Sequence, residues 1–76
     1  MIKHEELSNP NSCMSRALPN EMVFVLLARD PAAPIAIRAW IAERVRLGKN
    51  QAGDTQVVDA ELCAIQMEQS RKPSIV

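Results

Sequence analysis

Seventy-six residues with nine basic and nine acidic side chains, formally neutral at pH 7, make one domain at most. Neutrality argues against a general nucleic-acid coat and a polybasic membrane anchor, which both need net positive charge. No apolar run approaches the ~20 residues that span a bilayer.

A chain this small buries only about 60% of the surface its unfolded form exposes. A staple, a metal or a partner is the usual remedy. Cys13 and Cys63 sit in unrelated contexts and nothing at the start reads as a signal peptide, so a reducing, cytoplasmic setting is expected and a disulfide is not. His4 is the only histidine and no CxxC pair accompanies it, so no zinc site is expected and no cofactor is called for. Association with a partner remains.

Residues 1–19 lack periodicity. SNPNSC (Ser8 to Cys13) is a cluster of turn formers, and the segment reads as a flexible arm with room for a turn of helix. Pro19-Asn20 punctuates the start of an apolar run, Met22 to Ala28. Its valines and phenylalanine favour a strand, and the lack of alternation predicts that both faces are covered. A short buried helix is the competing reading.

Asp30 and Pro31 end that run. Asp30 suits an N-cap, and Pro31 and Pro34 both suit a first helical turn, so a helix is predicted to start between residues 31 and 34 and run to about Leu47. Gly48 supplies a left-handed stop, and residues 48–53 form a loop. A second helix follows Asp54 and continues to about Ser70, with Arg71 and Lys72 at its negative end and Pro73 beyond it. Residues 73–76 read as a loose tail.

The expected architecture is therefore α+β: a small single domain over 20–72, with one buried strand followed by two helices. A lone strand leaves a row of backbone groups unpaired. Pairing with the same strand of a second copy about a two-fold axis resolves this, through Val23, Val25 and Leu27. Return of the N-terminal arm as a short second strand is the alternative.

At 100° per residue, Ile37, Ile41 and Val45 line one side of an apolar arc on the first helix, with Trp40 and Leu47 on the other. Arg44 projects into that arc four residues after Trp40, where a guanidinium stacks on an indole. It serves either as a snorkelling or carboxylate-paired side chain, or as a ligand contact. The second helix has two apolar faces. Val58, Leu62 and Ile65 form one. Val57, Ala60, Cys63, Ala64 and Met67 form the other, which would serve a second helix–helix contact in this chain or in another; Val57, Ala60 and Ala64 are expected at the oligomer interface. Glu61 and Glu68 lie on the boundary and read as a solvated rim.

The corner ARDPAAPIAIR places Arg29 and Asp30 just before a helix N-terminus and Arg38 inside it, a setting that attracts anions. It has no glycine to wrap a phosphate, and capping accounts for Asp30. No Ser/His/Asp arrangement exists, and neither cysteine has a neighbour to lower its pKa, so catalysis is not expected.

Residues 21–71 resemble a group of short phage and prophage proteins. These carry an FVLRAQD segment, an AP pair, a helix with V-R-x-W and a helix with A-x-x-M-E. Phe24, Val25, Leu26, Ala28, Asp30, Ala33, Pro34, Arg38, Trp40, Met67 and Glu68 match. Leu27 stands where the group tends to have arginine, and Arg29 where it tends to have glutamine. The resemblance implies an accessory protein of an infected or lysogenic bacterium's cytoplasm. It would counter bacterial defence without catalysis, by sequestering a nucleotide signal or by docking on a host defence protein such as a CRISPR-type effector.

The expected function is thus a homo-oligomer that binds a cyclic nucleotide or another anionic small molecule in pockets between subunits. Arg29, Asp30, Arg38, Arg44 and Lys49 would surround the ligand and Trp40 would offer a stacking surface. A protein–protein inhibitor is the alternative. DNA binding is disfavoured by zero net charge and by a loop too long for a helix-turn-helix.

Overall fold

The computed structural model describes residues 1–71, without the side chain of Arg71; the tail expected at 73–76 lies outside them. Four helices follow one another: α1, Lys3–Ser8; α2, Cys13–Arg16; α3, Ala33–Arg46; and α4, Thr55–Arg71. The long pair forms an antiparallel hairpin, and the short pair packs into a corner near the N-terminus.

Local chemistry accounts for the boundaries. The Asp30 carboxylate accepts from the Ala32 N–H at 2.9 Å and the Asp30 carbonyl from the Ala33 N–H at 3.0 Å, so a turn leads into α3. Pro34, in the first turn of α3, gives up an amide that no helical carbonyl needed. At the other end Gly48 adopts φ +74°. The Gly48 amide donates to Val45 and the Lys49 amide to Arg44, each at 3.0 Å, which closes a Schellman turn. In the N-terminal corner the half-turns are held by the Ser12 hydroxyl, which donates to the Glu6 carbonyl and accepts from the Ser15 N–H.

The core is narrow and made of small groups. Val57, Ala60 and Ala64 are buried on one face of α4, and Ala33 and Pro34 are buried on α3. Residues 57, 60 and 64 recur at helical spacing, so this face lets the two backbones approach closely. Val57, Ala60 and Ala64, expected at the oligomer interface, are occupied here by the chain's own hairpin.

The α+β expectation is overturned: among the described residues there is no strand and no sheet. Residues 21–27 form neither helix nor strand and have no ladder partner among the described residues. The β-branched and aromatic composition favours extended backbone, but a strand exists only where a second one completes its hydrogen bonds. Nor is the segment buried. Met22 is 96% and Phe24 87% exposed, and Val23, Val25 and Leu27 are about half exposed. The radius of gyration is 13.7 Å, against about 11 Å for a compact chain of this length. The hairpin therefore leaves much of its apolar surface uncovered.

Candidate functional site

The C-terminal end of α3 brings three of the expected ligand residues together. Arg44 lies one helical turn after Trp40, and its guanidinium carbon is 5.6 Å from the indole centroid, within cation–π range. Its Nε donates to the Asn50 Oδ1 at 2.6 Å. Asn50 is fixed in turn, because its amide donates to the Asp54 Oδ2 and the Gln56 Oε1, each at 3.1 Å. Lys49 sits in the Schellman turn, exposed, with its backbone bonded to the Arg44 carbonyl. The guanidinium is thus held over an aromatic ring by a side-chain amide that engages its Nε. Trp40 is 41% exposed.

Arg38 is differently placed. Its Nε donates to the Glu61 Oε1 at 3.1 Å, and its two terminal nitrogens form a fork on the Glu68 carboxylate at 2.7 and 2.9 Å. The two carboxylates hold the guanidinium firmly protonated, well above its usual value, with Glu68 the larger influence. Arg38 therefore joins α3 to α4 rather than waiting for an anion. Glu61 and Glu68, expected on a solvated rim, are its partners. Of the two arginines, Arg38 and not Arg44 takes the carboxylate partners on α4, and the side-chain partner of Arg44 is the Asn50 amide.

Arg29 and Asp30 lie at the opposite end of α3, a helix about 20 Å long at 1.5 Å per residue. Arg29 is exposed and forms no ion pair among the described residues. Within one chain it does not reach Arg44 and Lys49. Arg46, near the same end as Arg44, is paired with Glu43 in the preceding turn.

The loop carries one perturbed acid. The Asp54 carboxyl is held below its usual value by the Gln51 N–H and then by the Asn50 amide. Among the described residues no group of His, Cys, Asp and Glu could hold a metal ion, and Cys13 and Cys63 are free thiols. Among the same residues no helix is long and apolar enough to cross a membrane.

A shallow, largely apolar groove of about 400 Å³ opens on the hairpin, lined by Ile41, Ala52, Val57, Val58, Leu62 and Ile65 together with Glu61, the partner of Arg38. Val58, Leu62 and Ile65 are the larger of the two apolar faces recognisable on α4, and they remain open. Neither a protein-family model nor any curated protein or solved structure matches the chain.

Proposed function

We propose that this helical hairpin is a non-catalytic, phage-type accessory protein that counters bacterial defence by sequestering an anionic nucleotide signal between copies of itself. One observation carries the reading: Arg44 is pre-set over Trp40 by Asn50, its terminal nitrogens have no partner among the described residues, and Lys49 follows in the adjoining turn. A nucleotide supplies the matching chemistry. Its phosphate accepts charge-assisted hydrogen bonds from the guanidinium and the ammonium, and its base stacks on an indole or guanidinium plane. No bond is made or broken; removal of the signal from solution is the whole activity. Arg29, at the far end of α3, could join such a pocket only from a second copy, which is consistent with a ligand bound between subunits. The phage and defence setting rests on the resemblance of residues 21–71.

The test is titration calorimetry against a panel of cyclic di- and trinucleotides. One of them binds wild type, and Arg44→Ala weakens it about 10- to 100-fold, the usual worth of a hydrogen bond to a charged group. Trp40→Ala weakens it comparably through lost stacking. Helical content by circular dichroism stays unchanged. If no member of the panel binds, or if Arg44→Ala binds as wild type does, the assignment fails.

The exposed segment 22–27 favours a second reading, direct docking on a host defence protein. That reading gains if the panel is silent while Phe24→Asp abolishes protection of a phage against its host.

A further inference from the structure

Two apolar surfaces on this chain lack partners, and their dimensions correspond. The first is the segment from Met22 to Leu27, whose side chains stand 50% to 96% exposed at Met22, Val23, Phe24, Val25 and Leu27. The second is the groove on the α3–α4 hairpin, lined chiefly by Ile41, Val58, Leu62 and Ile65, with Glu61 also in its wall, and containing no residue of the segment.

Along α4 the apolar positions 58, 62 and 65 cover about 10 Å at 1.5 Å per residue. Drawn out as an extended chain, Met22 and Phe24, which are exposed, and Leu26, which is half-buried, lie on one side and cover about 13 Å at 3.3 Å per residue. Three side chains of the segment therefore meet three positions of the groove, with Phe24, an aromatic anchor, at the centre.

We propose that the groove of one copy receives the Met22–Leu27 segment of a second copy, with Phe24 seated among Ile41, Val58, Leu62 and Ile65. Area decides how many such contacts form. If each of three large side chains spans about 150–250 Å², one seated segment removes roughly 900–1,500 Å² from water, counting both sides. A stable interface needs roughly 1,200–2,000 Å². One contact straddles the lower bound and two clear it, so the exchange is taken as reciprocal, about a two-fold axis. The contact is made by side chains against helices and needs no sheet. It also covers side chains of the segment that are exposed in the single chain.

This inference does not depend on the ligand assigned above, and its test contains no nucleotide. In a background with Cys13→Ser and Cys63→Ser, chains carrying Phe24→Cys are mixed with chains carrying Leu62→Cys under mild oxidant. A disulfide-linked heterodimer is expected. It should be absent when the partner carries Ala39→Cys instead, because Ala39 is exposed and about 200° around α3 from Ile41.

Sedimentation at micromolar concentration is expected to show a dimer that Phe24→Asp weakens about thirtyfold or more, as loss of an aromatic hot spot does. A monomeric wild type overturns the proposal. So does equal cross-linking to both partners, or a disulfide forming within single chains that carry both Phe24→Cys and Leu62→Cys at high dilution. Loss of helix in Phe24→Cys counts against it too, since Phe24 would then belong to the chain's own core.

Discussion

Replacing Ala64 with leucine tests whether the small-residue seam lies within one chain. Ala64 is fully buried on the α4 face that meets α3, so the methyl group already fills the space between the helices. Leucine adds three carbon atoms where the backbones are close. Overpacking of this kind costs about 1–3 kcal/mol. In a chain of this size each kcal/mol lowers the melting temperature by about 4–8 °C, so a mid-range cost of about 2 kcal/mol lowers it by about 8–16 °C. Ala42→Leu, on the exposed side of α3, serves as the control and stays within about 0.5 kcal/mol of wild type. The assay is thermal unfolding followed by circular dichroism at two protein concentrations. A seam within the hairpin gives the same loss at both. A loss that grows on dilution, or a wild-type melt accompanied by an altered oligomer, would place Ala64 against another chain and refute the packing described here.

Two further outcomes follow from the loop. Gly48→Ala should cost about 1–2 kcal/mol, the ordinary penalty of a left-handed backbone, because a Cβ there meets nothing else. Gly53→Ala, where the added carbon also meets nothing and φ is not left-handed, should be neutral or stabilising by up to about 1 kcal/mol; urea titration separates the two. Acid should destabilise the hairpin. Asp54 and Glu43 are both held below their usual values of 3.8 and 4.5, Asp54 chiefly by the Gln51 amide and Glu43 by Arg46. Such groups stabilise the fold above their unfolded pKa, and the contribution is lost as pH falls through the folded value. Melting temperature should therefore drop below about pH 4.5 and fall less steeply in Asp54→Asn; parallel acid limbs for the two proteins would exclude a role for this carboxylate.

Much of the hairpin was legible in the sequence. The 3.6-residue recurrence of apolar positions, the prolines at 31 and 34, and Gly48 predict helices close to Ala33–Arg46 and Thr55–Arg71 because each signal acts locally. The run Met22 to Ala28 was misread for a non-local reason. Its composition reports a preference for extended backbone, whereas a strand also needs a neighbour, and no described part of the chain supplies one. The role of Arg38 was missed because the first helix was matched to a strand and not to α4. Once the helices are antiparallel, Arg38 lies roughly as far before the loop as Glu61 and Glu68 lie after it, and the clasp can be read from that symmetry. The Arg44–Trp40 stack needs only a four-residue spacing on one helix, whereas the Asn50 lock depends on how the loop turns and has no pattern in the sequence.

The clasp also bears on how the two helices are indexed along their length. A seam of alanines has no knobs. Shifted by one turn, Ala60 would stand where Ala64 stands now, and apolar packing alone would scarcely oppose the slide. Arg38 does oppose it, because its fork fits one carboxylate and its Nε another, seven residues apart on α4. A shift in either direction strands at least one charge. Polar contacts of this sort set register more than they add stability. The position of the Trp40–Arg44 pair on α3 relative to the apolar face of α4 is thereby held by a single guanidinium.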